Sequence, residues 1–229
     1  MKAVVLHHTL NSPGGESSFA IETINSLSKL GYDIELITVQ KPNLELISKT
    51  YGKKPQIKKV KFISPFGMNY FGIYQRLLTT ISSLHLQPSD IVINTNGNSL
   101  PFNLPHNILC ILYIHFPAFL QTSPEYNNNK YTQSLFWKAY FKPYQFMTHL
   151  LTKRALKRSD VIFTNSKFTR NAIKKVYPAF DPQVIYPPID IERFSSCLRS
   201  NSRENQCLRS GARRFGPQWR PSRPPPGER

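Results

Sequence analysis

Cysteine is scarce in this chain of 229 residues: Cys110, Cys197 and Cys207 are all there are, and their spacing matches neither a disulfide framework nor a metal motif. Cys110, inside an apolar run, reads as a small buried hydrophobe. Long apolar runs are missing too. The longest, "ILCILYIHFPAFL", is interrupted by His115 and Pro117 and is too short to span a bilayer. The opening "MKAVVLHHT" turns polar too soon for a signal peptide, so a reducing, cytosol-facing location is expected. No GxGxxG dinucleotide fingerprint occurs, no Ser/His/Asp set or nucleophile elbow is legible, and the six histidines form no metal-ligand spacing with the carboxylates. A metal or organic cofactor is therefore not expected.

Acidic residues are also few, 13 against 30 Lys and Arg, for a formal charge of +17. That excess is unevenly made. Residues 1–194 hold 17 Lys and 5 Arg against 11 acids, whereas residues 195–229 hold 8 Arg, no Lys and 2 acids. Ile, Val and Tyr all stop before the same border, and five prolines follow it. The segment 195–229 is expected to be a disordered tail, because it cannot bury enough apolar surface to offset the entropy of ordering. Two origins stand for it: a genuine basic tail, or frame-shifted or foreign sequence. Either way, Arg without interleaved aromatics gives weak, nonspecific polyanion binding, so no specific nucleic-acid partner is expected.

The body, residues 1–194, alternates short apolar runs with helical patterns. "AVVLH", "DIELITV", "QIKKVKFIS", "SDIVINT", "NILCILYIHF", "DVIFTNS" and "QVIYPPIDIERF" read as strands. Between them lie helix candidates at 17–30, closing on Gly31, at 70–86, at Thr132–Lys157 with a bend or break at Pro143, and at 167–177. Such alternation predicts α/β architecture: a doubly wound, Rossmann-like parallel sheet covered on both faces.

In that architecture the ligand lies outside the carboxyl ends of the strands, which singles out "NSPGGES", "NTNGNS", "HFP" and "NSKFTR". Gly14 and Gly15 permit a tight turn with either sign of φ and close approach of a ligand to the backbone, with Glu16 at the helix start. A plain strand-to-helix turn is the competing reading. Asn96 follows the "DIVI" strand. His115 ends an apolar strand, as a packed core ring or as a crevice residue. His7 and His8 divide between one packed ring and one facing the crevice. Ser166 and Lys167 open a helix, where capping alone also accounts for them. The aromatic and basic stretch "SLFWKAYFKPYQFMTHLL" with "LLTKRALKR" fits peripheral contact with a membrane surface or core packing.

Taken together, "SPGGES", "YIHFP", "DVIFTNSKFTR" and "VIYPPIDIERF" resemble the N-terminal half of family 4 glycosyltransferases of GT-B fold, over residues 1–194. Within the family the resemblance is to GDP-mannose-dependent α-1,2-mannosyltransferases of dolichol-linked oligosaccharide assembly. It implies the acceptor side of a retaining, metal-independent enzyme that takes a nucleotide sugar and a lipid-linked glycan at the cytosolic membrane face. It further implies that Gly14 and Gly15 approach donor phosphates and acceptor, that His115 contacts the transferred sugar, and that Ser166 and Lys167 line the acceptor side. The family's donor-binding domain would follow the "YPP" linker, where this chain turns Arg/Pro-rich. A non-catalytic binding module acting with a separate donor-binding chain is the alternative expectation.

Overall fold

The computed structural model describes residues 1–64, 74–82, 89–97, 104, 107–117 and 135–189. The expected tail and the end of the expected last strand lie outside the described residues. Met1–Pro187 cluster as one compact unit and Pro188–Arg229 as a second.

Seven parallel strands form one sheet: β1 (Lys2–Leu6), β2 (Asp33–Gln40), β3 (Lys59–Ser64), β4 (Ile91–Asn94), β5 (Leu109–Ile114), β6 (Val161–Thr164) and β7 (Gln183–Val184). Their order is β3-β2-β1-β4-β5-β6-β7. This is the doubly wound order with one strand added, so the winding reverses between β1 and β4. The registers Leu6↔Ile37, Leu6↔Asn94 and Asn94↔Leu112 bring the carboxyl ends of the central strands level.

Continuous apolar strands require cover on both faces, and the helices supply it. On one face α1 (Gly15–Lys29) lays Ala20, Ile21, Ile24 and Leu27 against Ala3, Val5, Ile34 and Leu36. On the other, Ala155 and Leu156 of α4 (Leu135–Arg158) and Ala172 and Ile173 of α5 (Lys167–Val176) meet Val4, Leu6, Val92 and Leu112. Gly31, at φ 85°, ends the first helix as its position suggested. α3 (Gln75–Ser82) occupies the centre of the expected 70–86 helix.

Three features depart from the sequence reading. A short helix, α2 (Leu44–Tyr51), fills the proline-punctuated stretch after β2; the Asn43 side chain caps Leu46 N–H at 3.0 Å, and Gly52 closes it at φ 70°. The fourth helix runs through Pro143 without a break. Phe141 and Tyr144, on either side of the proline, are buried with Leu77, so packing outweighs the lost backbone bond. The last strand is only two residues long, because Pro187 and Pro188 cannot extend its ladder.

One charge lies deep in the sheet. The Glu35 side chain is 2% exposed and is gripped by Lys61 at 2.7 Å and Lys2 at 3.0 Å. Burial is the largest single influence on this carboxyl and pushes its pKa up, but the two ammonium groups together hold it below its ordinary 4.5. A depressed folded-state value means that the contribution is fully present above pH 4.5 and is lost as pH falls through the folded pKa. Glu35→Gln should cost roughly 1–3 kcal/mol at neutral pH, since both lysines keep partial access to water. Urea melts of the two proteins should converge once pH falls below the folded pKa of Glu35, and an unchanged gap would show that the pair does not carry the difference.

Candidate functional site

Four strand ends meet where the winding reverses. β1 runs into His7, which is fully buried, and its backbone N–H extends the ladder to Ile37 at 3.1 Å. Thr95, just past β4, donates its hydroxyl to the Leu6 carbonyl at 2.9 Å, so its oxygen accepts from His7 Nδ1 at 3.0 Å. This assigns the proton to Nδ1 and leaves Nε2 the basic nitrogen. His7 is thus the packed ring of the pair, and His8 is half-buried.

Beyond His8 the chain forms a loop tied down at several points. Val39 N–H reaches the His8 carbonyl at 2.9 Å, Asn11 Nδ2 donates to the Lys41 carbonyl at 2.9 Å, and Ser17 Oγ donates to the Thr9 carbonyl at 3.2 Å. Gly14 N–H donates to the Tyr51 hydroxyl at 2.9 Å, and that hydroxyl donates to the Ser12 carbonyl at 3.1 Å. A phenol from the end of α2 therefore holds both sides of the glycine turn.

The glycines themselves are not demanded by the fold. Gly14 has φ 169°, extended backbone open to any residue, and Gly15 is not in the left-handed region. A Cβ at either would meet nothing within 4 Å. The turn does not use the freedom in the sign of φ that the paired glycines permit: what these positions keep is open space at the N-terminus of α1, beside Glu16 in its first turn. Backbone closeness belongs instead to Gly97, at φ +80°, where a Cβ would sit 3.4 Å from Ile114 Cα and Tyr113 O. Its neighbour Asn96 is buried, with Nδ2 donating to Thr79 Oγ1 of α3 at 3.2 Å and N–H to Asn94 Oδ1 at 2.8 Å.

At the end of β5, His115 is half-buried and edge-on to Tyr113 (centroids 4.8 Å) and to Phe19 of α1 (5.3 Å). Phe19 stacks on Tyr113 at 3.8 Å. Since Phe19 is one turn beyond Gly15, this stack joins the glycine turn to the histidine. Thr169 of α5 donates to Asn165 Oδ1 at 2.7 Å and lies 3.4 Å from the His115 carbonyl oxygen. Ser166 caps α5 by accepting from Thr169 N–H at 3.2 Å, and Lys167 is exposed at the first helical position. His115, Ser166 and Lys167 thus share one rim, connected through Thr169. Among the described residues no group of three or more His, Cys, Asp or Glu could hold a metal ion, and no helix is long and apolar enough to cross a membrane.

Residues 13–193, well over half of the chain, match Glycosyltransferase Family 4. The chain belongs to that family. The GDP-Man:Man(3)GlcNAc(2)-PP-Dol alpha-1,2-mannosyltransferase of Candida glabrata is 25% identical over 149 residues, covering 58% of this chain and 28% of that enzyme. An α-glucosyltransferase solved with UDP and a 13-mer DNA containing an HMU base is 17% identical, with a TM-score of 0.44 over 83% of this chain and 43% of its own. The α-glucosyltransferase with UDP alone gives 17% identity and a TM-score of 0.39 over 82% and 44%. The family 4 chain therefore spans less than a third of the curated relative it matches and under half of these solved structures.

Several parts of this crevice were not foreseen in the sequence. Tyr51, Phe19 and Thr169 are ordinary residues until the topology brings them together. Gly97 carried a signal, in the "NG" dipeptide separated from a strand by one residue, which favours positive φ. Tyr113 donates its hydroxyl to the Ile185 carbonyl at 2.8 Å, and burial pushes its pKa up to about 12, so it stays a donor and fastens β5 to the "IYPP" segment. The two kinds of glycine should separate on substitution. Gly97→Ala should cost roughly 1–2 kcal/mol from left-handed strain, while Gly15→Val should stay within about 0.5 kcal/mol. Thermal melts check the order, and a reversed ranking would mean that the open space at Gly15 is not there in solution.

Proposed function

We propose that this chain is the acceptor-binding half of a retaining glycosyltransferase that transfers mannose from GDP-mannose to a lipid-linked oligosaccharide, without a metal ion. The observation that carries the reading is the convergence of the four strand-end motifs on one crevice, where open backbone at Gly14 and Gly15, the His115 rim and the Ser166–Lys167 helix start are linked through Phe19, Tyr113 and Thr169. Family membership supports the reaction class, and the mannosyltransferase relative supports the sugar and the lipid-linked acceptor.

Each residue has a role in this reading. The first-turn amides of α1 lack intrahelical acceptors and lie beside open space. Glu16 sits among them, and its negative charge disfavours a phosphate there while accepting well from sugar hydroxyls. Gly14, Gly15 and Glu16 therefore seat acceptor hydroxyls. His115, its orientation fixed by Phe19 and Tyr113, contacts the mannosyl group as positive charge develops at the anomeric carbon and the nucleoside diphosphate departs. Asn96 shapes the crevice floor through its bond to α3. Lys167, at a helix start with Ser166 as cap, offers a cation on the acceptor side.

Titrating the chain with a lipid-phosphate oligosaccharide, and separately supplying labelled GDP-mannose, tests this reading. Acceptor binding should be weakened roughly tenfold by Glu16→Ala, the loss of one hydrogen bond to a charged group. Where transfer is measured, His115→Ala should lower kcat on the order of 100-fold with a smaller change in KM. Acceptor binding without transfer identifies a binding module that acts with a separate donor-binding chain. No acceptor binding at all overturns the reading.

A further inference from the structure

The outer face of α4 is not used by the crevice, yet it is built in two halves. Over its first four turns the exposed positions are mostly apolar: Leu135 is 85% exposed, Phe136 72% and Phe146 66%, with Met147 and Leu150 following on the same stripe and Lys142 an exposed cation among them. Met147 and Leu150 also border a groove of ≈ 480 Å³ whose opposite wall is Tyr74, Leu77 and Leu78 from α3 and the turn before it. Over the last two turns the same face becomes cationic, where Lys153, Arg154, Lys157 and Arg158 surround a second hollow that shares Leu150 and Arg154 with the groove. The 24 residues of α4 contain no Asp or Glu. So much exposed aromatic and aliphatic surface on one helix is uncommon in a protein that meets only water.

Direction matters as much as composition. Arg158 Nη2 lies 3.4 Å from the Ile108 carbonyl, just before β5, and the chain enters β6 three residues later. The cationic end therefore lies at the amino ends of the strands. The apolar end, roughly 30 Å away at 1.5 Å per residue, lies at the carboxyl ends, where the crevice opens.

We propose that this face docks on a bilayer leaflet containing anionic lipid, with the apolar half of α4 entering the acyl boundary and its cationic half resting on headgroups. Charge complementarity selects that occupant over an apolar protein surface or a second copy of the chain, because in a self-complementary contact the cationic half would meet only the same helix, which holds no Asp or Glu. Only the purpose of docking rests on the proposed function: it brings the crevice mouth to the plane in which a lipid-linked acceptor resides. The docking itself needs no acceptor.

Co-sedimentation of the full chain with vesicles of phosphatidylcholine, alone or mixed with phosphatidylglycerol, tests the surface with no sugar present, so its result is independent of transfer. Binding is expected on the mixed vesicles and should be far weaker on phosphatidylcholine alone. Lys153→Ala with Lys157→Ala should weaken it roughly thirtyfold, as expected for two lysines at a charged interface. Phe146→Ala with Leu150→Ala should weaken it roughly tenfold. Both pairs are exposed, so melting temperatures should hold. Lys29→Ala with Lys49→Ala removes equal charge from exposed positions on α1 and α2 and should leave binding unchanged. Equal losses in all three pairs, or none in the α4 pairs, would assign binding to total charge and overturn the proposal. So would a concentration-dependent dimer without vesicles that Phe146→Ala dissolves, since the face would then belong to a second copy.

Discussion

The candidate site in this fold depends on one topological constraint, the reversal of winding between β1 and β4. Right-handed crossovers place the connections from β1 and from β4 on opposite faces of the sheet, so the chain leaving one strand turns away from the chain leaving the other. A gap at that boundary is unavoidable. The paired ends at Leu6 and Asn94 set its floor, and the loops at Gly14, Gly97, His115 and Ser166 become its walls.

Such a gap would expose polar backbone and invite collapse if it were not propped. Here the props are small buried hydrogen-bonding groups. Thr95 serves the Leu6 carbonyl and His7 at once, Asn94 and Asn96 occupy the next layer, and Thr79 closes it from α3. Aromatic rings do the equivalent work on the β5 side, where Phe19 and Tyr113 fix the plane against which His115 turns. The result is a crevice whose floor is rigid and whose rim carries the exposed groups, Lys167 among them.

Much of this was readable from residue order. Seven apolar runs alternating with helical patterns announced the parallel sheet, and the rule that ligands lie beyond strand ends pointed to the same loops that the structure gathers. What could not be read has definite causes. α2 is only eight residues long, with Leu44 and Tyr51 half-buried on either side of Ile47, so its apolar face is too brief to stand out beside the prolines around it, and its Asn43 and Gly52 caps were its other signal. Pro143 forecast a break because the forecast could not include the burial of Phe141 and Tyr144 around it. The glycine turn was assigned conformational freedom when its backbone uses none, whereas Gly97, three residues after a strand, uses it fully. Local sequence reports period and punctuation; it does not report which of two glycines faces another strand.

The Tyr51 hydroxyl carries a further consequence. It bridges Gly14 and Ser12 from the last residue of a two-turn helix in which Ile47 alone is fully buried, with Leu44 and Tyr51 half-buried beside it. Short, lightly anchored elements are where local opening concentrates. Whenever α2 lifts away, the glycine loop loses its brace, so the fraction of molecules with α2 seated sets the fraction in which that loop is ordered. Apparent affinity for anything held by the loop scales with that seated fraction. This short helix thereby makes the order of the glycine loop sensitive to temperature, with warming felt there before the sheet itself begins to melt.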